Sequence, residues 1–152
     1  MKKESVLISK AAEISVAELF QIQAQKTPRA LAIINSNGDK YTYKNFLLRV
    51  LKLSTVLIKR GVKPKDRIAI FSENRFEYLE LEMACAKIGA IVTAINWRLS
   101  DKEADYCINL VKPKITFFSE RFKNKIKLRA IKSLPSIIYG LKYENLIDKA
   151  IS

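Results

Sequence analysis

The longest regular signal in the chain is a row of apolar residues at helical spacing: Phe46, Leu47, Val50, Leu51, Leu57 and Ile58, with Ser54 in the same row. A row of this period predicts a helix with one buried face. Thr42 is placed to cap it, Gly61 follows as a terminating residue, and Pro64 prevents resumption. Upstream, Ser15 with Glu18 three residues later forms a capping-box pattern. It predicts a helix to about Lys26 with Val16, Leu19, Phe20 and Ala24 facing inward, ended by Thr27-Pro28. Leu31 to Ile34 and Lys40 to Tyr43 then read as a hairpin whose positive-φ turn is Asn37-Gly38.

Beyond Pro64 the pattern changes to short apolar runs separated by helical segments. Arg67 to Phe71 predicts a strand, and Phe76 to Ile88 a helix closed by Gly89. That helix has apolar residues on more than one face, as expected for one covered by neighbours. Ala90 to Ile95 is unbroken in its apolarity, which predicts a strand buried on both faces. Ser100 and Glu103 form a second capping box, opening a helix with Ala104, Cys107, Ile108 and Val111 inside and Pro113 at its end. Ile115 to Phe118 is a third parallel strand. Ser119 is placed to cap a basic helix running to Ile131, Pro135 to Gly140 reads as a fourth strand, and Tyr143 to Ile151 as a last helix. Alternating strands and helices predict an α/β fold with an open, mostly parallel sheet flanked by helices. The core is expected to contain Leu57, Ile70, Leu81, Cys85, Ile88, Val92 and Ile108. No linker divides residues 15–152, which read as one domain after a variable leader, residues 1–14.

Composition narrows the classes. Of 152 residues, 49% are hydrophobic and 28% charged, which argues against disorder. No apolar run approaches the ~18–20 residues of a membrane span. Histidine is absent, which removes Ser-His-Asp and Cys-His catalysis and makes a zinc site an unfavoured reading. Cys85 and Cys107 read as buried, reduced thiols of a cytoplasmic protein.

Charge is uneven. The net charge is +13; residues 1–118 hold 20 Lys+Arg and 12 Asp+Glu, and residues 119–152 hold 8 and 3. The densest run lies within 121–132: Arg121, Lys123, Lys125, Lys127, Arg129 and Lys132. Its bases alternate with Phe122, Ile126 and Ala130, so a solvated helix face accounts for it more simply than a nucleic-acid or membrane surface, and no recognition motif accompanies it. Asp101, Glu103 and Asp105 fall in a first helical turn, where the macrodipole favours acids, and Glu73, Glu77 and Glu80 read as one exposed helix face. The glycines, Gly38, Gly61, Gly89 and Gly140, are isolated, and no Gly-rich phosphate loop is present. Trp97 and Arg98 follow the C-terminal end of a parallel strand, where open α/β sheets place ligands. They are the candidate ligand contacts, with packing and ion pairing as the structural alternative.

Taken in order, Ser15 to Phe20 (Ser-Val-Ala-Glu-Leu-Phe), Thr27-Pro28, Tyr41-Thr42-Tyr43, Gly61-Val62 with Pro64, Asp66 to Ile70, Ala86 to Ala90 and Asn96-Trp97-Arg98-Leu99-Ser100 resemble the N-terminal part of the AMP-forming adenylate synthetases. The resemblance covers residues 15 to 119 and continues more loosely through Ser133 to Ser136 and Tyr143 to Leu146. The Asn-Trp-Arg-Leu-Ser segment is similar to the acyl-CoA synthetase branch; peptide-synthetase adenylation domains usually carry Asp-Pro and Tyr-Pro patterns there. The resemblance implies the N-terminal portion of the large synthetase domain. Intact members use ATP, Mg and CoA to convert a carboxylic acid to an acyl-adenylate and then a thioester.

The family residues that perform this chemistry have no counterparts here. The Ser/Thr/Gly-rich phosphate loop, the Tyr-Gly-x-Thr-Glu segment, the ribose-binding aspartate and the catalytic lysine are all missing from the sequence. No catalytic, cofactor-binding or metal residue is therefore assigned. The expectation is an N-terminal fragment of an acyl-CoA synthetase of fatty acid metabolism, truncated and inactive alone. Its partners would be the missing C-terminal remainder or further copies of itself, through an apolar surface left uncovered. The carboxylic acid substrate belongs only to the intact enzyme. The alternatives are a non-catalytic scaffold or partner-docking protein, such as one half of a split enzyme, and a basic nucleic-acid-binding module supported by charge alone.

Overall fold

Ser15 opens the first helix as its capping box predicts: its hydroxyl accepts the Glu18 N–H, and the Glu18 carboxylate accepts the Ser15 N–H at 2.8 Å. The computed structural model describes residues 14–150, so nearly all of the expected leader lies outside the described residues. Helix α1 (Val16–Lys26) buries Ala17 and Ala24 and half-buries Phe20, while Val16 and Leu19 face outward. This corrects the expected inner face. Phe20 keeps its place on that face, with its ring centre 5.9 Å from that of Tyr43 and 5.6 Å from that of Phe46, and Ala17 takes the contact expected of Val16 and Leu19.

Strands β1 (Leu31–Ile34) and β2 (Lys40–Thr42) form the antiparallel hairpin. The turn is wider than the expected one: Asn35 N–H bonds the Asp39 carbonyl, and of its residues only Gly38 takes positive φ, at 91°. Thr42 caps helix α2 (Tyr43–Lys59), accepting the Asn45 N–H at 3.2 Å. Phe46, Val50, Ser54 and Leu57 are buried as the row predicts, but Ile58 is 57% exposed, and Leu53 and Val56 are buried on a second flank.

The main sheet contains strands β3 (Arg67–Phe71), β4 (Ile91–Ala94), β5 (Ile115–Phe118) and β6 (Ser136–Ile138), all parallel, in the order β4-β3-β5-β6. Helices α3 (Phe76–Ile88) and α4 (Asp101–Val111) connect the first three, and α5 (Leu141–Asp148) follows the fourth. Alternation along β3 sends Ile68 and Ile70 to one face, where α2, α3 and α5 cover them. It sends Ala69 and Phe71 to the other, with Ile108 of α4 and with Leu128 and Ile131. β5 divides its residues the same way, so both central strands are buried on both sides.

Strand order overturns the expectation for β4. It pairs only with β3, and Ile91 at its start is 49% exposed. Every residue of β4 is exposed or half-buried, so its apolar run signals neither burial on both faces nor a place at the edge of the sheet. Val92 and Ile88 are half-buried at the margin of the core, whereas Leu57, Ile70, Leu81, Cys85 and Ile108 are buried as expected. Cys107 is only half-buried; both cysteines are free thiols.

The basic segment is not the expected α-helix. Glu120–Lys127 is a 3-10 helix, and Ser119 does not cap it; the Ser119 hydroxyl donates to Glu73 instead. Phe122 and Ile126 of this helix pack half-buried against the second core, and Leu128 and Ile131, in the turns beyond its end, are buried in it. The Asp105 carboxylate accepts the Ala130 N–H at 2.9 Å, fixing the turn that follows.

The acidic face is also corrected. Glu77 and Glu80 are buried, and Glu73 lies in the loop after β3. Glu80 is fully enclosed and is engaged by Arg49 at 3.1 Å and by the Tyr143 hydroxyl at 2.9 Å. Arg49 also holds Glu144 through two bonds, of 2.7 and 2.9 Å, and lies against the rings of Tyr41 and Phe76. One guanidinium thus joins α2, α3 and α5. Burial pushes the Glu80 carboxyl up to about 7, against Arg49 and Tyr143, which favour its charge.

Candidate functional site

The site follows from strand order. The chain passes from β3 to β4 on one side, then returns across β3 to β5 on the other. In open parallel sheets the loops at the carboxyl ends of strands diverge at such a reversal, and the resulting crevice is where ligands bind. Here it is bounded by the loops after β3, β4 and β5.

At the centre, the Ser119 hydroxyl donates to the Glu73 carboxylate at 2.6 Å, and the Ser119 N–H donates to the Phe71 carbonyl at 3.0 Å. Burial opposes ionisation of Glu73, but the Ser119 bond, its own backbone and the charges of Arg75 and Arg121 hold its carboxyl below the ordinary range. Arg75 spans Glu77, at 2.6 and 3.0 Å, and Glu73, at 3.7 Å. These groups tie the crevice floor together.

Trp97 and Arg98 stand at the rim. The Asn96 side chain accepts the Arg98 N–H at 3.0 Å, and the Leu99 N–H closes the turn on the Asn96 carbonyl at 3.1 Å. Trp97 stacks on Phe122 with ring centres 5.1 Å apart and planes 20° from parallel. The Arg98 guanidinium lies 4.3 Å from the Trp97 ring centre, and that of Arg121 lies 5.1 Å from Trp97 and 5.3 Å from Phe122. Among the described residues, neither guanidinium is within ion-pair distance of a carboxylate. Two arginines held on one indole can receive a phosphate or carboxylate. Beyond β6 lies an open cavity of about 610 Å³ lined by Arg75, Glu120, Lys123, Tyr139 and Lys142 among others.

The structure therefore brings the sequence candidates Trp97 and Arg98 together with Arg121, expected on a solvated helix face, and with Phe122, the apolar residue beside it. A usable signal existed: Arg121-Phe122 follows the end of β5 as Trp97-Arg98 follows the end of β4. Other bases of that run find partners within the chain, Lys123 with Glu120, and Lys125 with Asp101 at 2.6 Å and the Leu99 carbonyl at 3.0 Å. Among the described residues no cluster of metal-ligating side chains occurs, and no helix is long and apolar enough to cross a membrane.

Residues 20–149 match the family of AMP-binding enzymes. The chain is 31% identical over 108 residues to 4-hydroxybutyrate–CoA ligase 2 of Metallosphaera sedula, covering 71% of this chain and 20% of that protein. It is 35% identical over 86 residues to a feruloyl-CoA synthase of Amycolatopsis sp, covering 57% and 17%. Among solved structures, MatB from Rhodopseudomonas palustris superimposes with a TM-score of 0.75 at 27% identity, covering 90% of this chain and 28% of that one. A benzoate CoA ligase from Burkholderia xenovorans gives a TM-score of 0.80 at 18% identity over 90% and 29%, a likeness of fold. The chain thus spans about a fifth of the length of the curated relatives it matches.

Proposed function

The chain belongs to the family of AMP-binding enzymes, and from that membership we propose that it forms the N-terminal portion of the large domain of an acyl-CoA ligase and is inactive by itself. The observation that carries this reading is the continuous family match over residues 20–149, joined to relatives that are CoA ligases. Those relatives differ in their acids, 4-hydroxybutyrate in one and ferulate in another, so what they share with this chain is scaffold rather than acid selection.

Family members use ATP, Mg and CoA, and the described residues fit these groups unequally. Nothing here supplies consecutive backbone amides for a nucleotide phosphate or a carboxylate cluster for Mg. No step is therefore assigned to ATP or Mg on this segment. A phosphate-bearing group such as CoA does find suitable donors in Arg98 and Arg121, preorganised by Trp97. In the intact ligase their role would be to orient and neutralise that group. The free thiols of Cys85 and Cys107 accord with a cytoplasmic setting.

Carboxylate-dependent ATP–pyrophosphate exchange tests the reading. The purified chain should give no rate above a protein-free blank with any acid. Exchange by the chain alone would overturn it.

A further inference from the structure

The opposite end of the sheet carries a feature that the ligase reading does not use. Helices α2, α3 and α4 all end at the amino-terminal edge of the strands. From Lys59 to Arg67 the chain places five cations against the single carboxylate of Asp66, and Lys87 and Lys112 end α3 and α4. Asp66 is engaged by the Lys63 N–H at 2.8 Å and by the Lys114 ammonium at 3.1 Å. Helix C-termini offset roughly half a charge each, which leaves this pole strongly positive.

Between the last turns of α2 and α3 lies an open, mainly apolar groove of about 550 Å³. Leu51, Ile58, Val62 and Ile88 line it with Ser54, Thr55 and Pro64. Lys63 and Lys87 line it too, and the Lys87 ammonium donates to the Gln21 side chain of α1 at 3.1 Å, a bond that an incoming carboxylate must replace. Ile58 is 57% exposed there. The rim is fixed: the Lys65 N–H bonds the Gly89 carbonyl at 2.7 Å with Lys65 at φ 70°, a left-handed conformation unusual for lysine.

We propose that this groove is a docking site for an acidic amphipathic helix of a partner protein, whose apolar face enters between α2 and α3 while its carboxylates meet Lys63 and Lys87. Charge complementarity identifies the occupant. Apolar side chains at i, i+3, i+4 and i+7 suit a groove between two helices, and acidic flanks suit its rim. Residues 1–13 of the chain itself carry Lys2, Lys3 and Lys10 against Glu4 and Glu13, so they lack the complementary charge. A bilayer is disfavoured because the surface is concave and no aromatic lines it. A nucleic acid would find no stacking ring in it.

The test uses the whole chain and two fluorescent helical peptides, with leucines at the stated spacing flanked by glutamates in one and by lysines in the other. Anisotropy should show binding of the acidic peptide that weakens as salt rises, and none of the basic peptide. Lys63→Glu combined with Lys87→Glu should weaken it by about tenfold or more. Ile58→Asp should do the same, with melting curves of both variants close to that of the parent. Equal binding of both peptides, no binding by the folded parent, or indifference to Ile58→Asp would overturn the proposal. So would anionic vesicles or DNA binding in place of the acidic peptide. None of these readouts depends on ligase chemistry, so failure here leaves the ligase reading standing, and the converse.

Discussion

Glu80→Gln tests the junction of α2, α3 and α5 through pH. The carboxyl is fully enclosed, and Arg49 gives it a single bond because two others go to Glu144. Its Oε1 has no hydrogen-bond partner, which favours the protonated form. Burial raises the carboxyl from its ordinary 4.5 to about 7. In that interval the folded chain retains a proton that the unfolded chain has released, so stability falls as pH rises. The contribution is whole below pH 4.5 and lost above about 7. It corresponds to up to about 3 kcal/mol. Glutamine keeps the shape and can accept from Tyr143 without the charge, so its stability should not follow pH through Glu80. The chain has no histidine to titrate in the same window, and Glu82, also raised by burial, cancels in the difference between the two proteins. Urea unfolding followed by circular dichroism should show the gap moving in favour of the glutamine variant by up to about 3 kcal/mol between about pH 5 and 7.5. Parallel stability curves would refute the reasoning.

Leu57→Ala and Leu81→Ala, each at fully buried positions, should cost about 2–5 kcal/mol in urea unfolding, whereas Ile58→Ala should stay within about 0.5 kcal/mol. Gly89→Ala places a Cβ 3.3 Å from the Pro64 Cβ at φ 71°, so the melt should report a loss of about 1–2 kcal/mol. If Arg98 and Arg121 receive a phosphate-bearing group, calorimetric titration with CoA should weaken about tenfold on Arg98→Ala; an unchanged affinity would remove that role. Val16, Leu19, Leu110 and Leu141 are exposed apolar side chains, so the isolated chain should self-associate and bind a hydrophobic dye while folded, and sedimentation at several concentrations checks this.

Local chemistry made much of the fold legible. Capping boxes at Ser15 and Ser100 start helices where the sequence places them, and Gly61, Gly89 and Pro113 mark their ends. Such signals act within one turn, so neighbours in sequence suffice to read them. The segment 119–131 was harder, because Phe122, Ile126 and Ala130 recur at the four-residue spacing of an α-helix while Glu120–Lys127 folds as a 3-10 helix. The helix stops at Lys127, and the turns beyond it bury Leu128 and Ile131 while Asp105 holds Ala130, contacts that lie far away in sequence. In the candidate site, Trp97-Arg98 was legible as a strand-end pair; Arg121-Phe122 was not, since the two pairs meet only after β4 and β5 are placed on opposite sides of β3.

By itself, the sequence determined the order of the strands and helices, the alternation that buries β3 and β5, and the motif series shared with the AMP-binding family. These depend on spacing along the chain, which sequence records directly. Tertiary structure decided the rest. It made β4 an edge, since hydrogen-bonding neighbours come from strand order rather than from a strand's own residues. It also turned Glu77 and Glu80 inward, because their partners Arg75, Arg49 and Tyr143 reach them only once loop and helices have come together; for Glu80 they counter only part of the cost of burying charge.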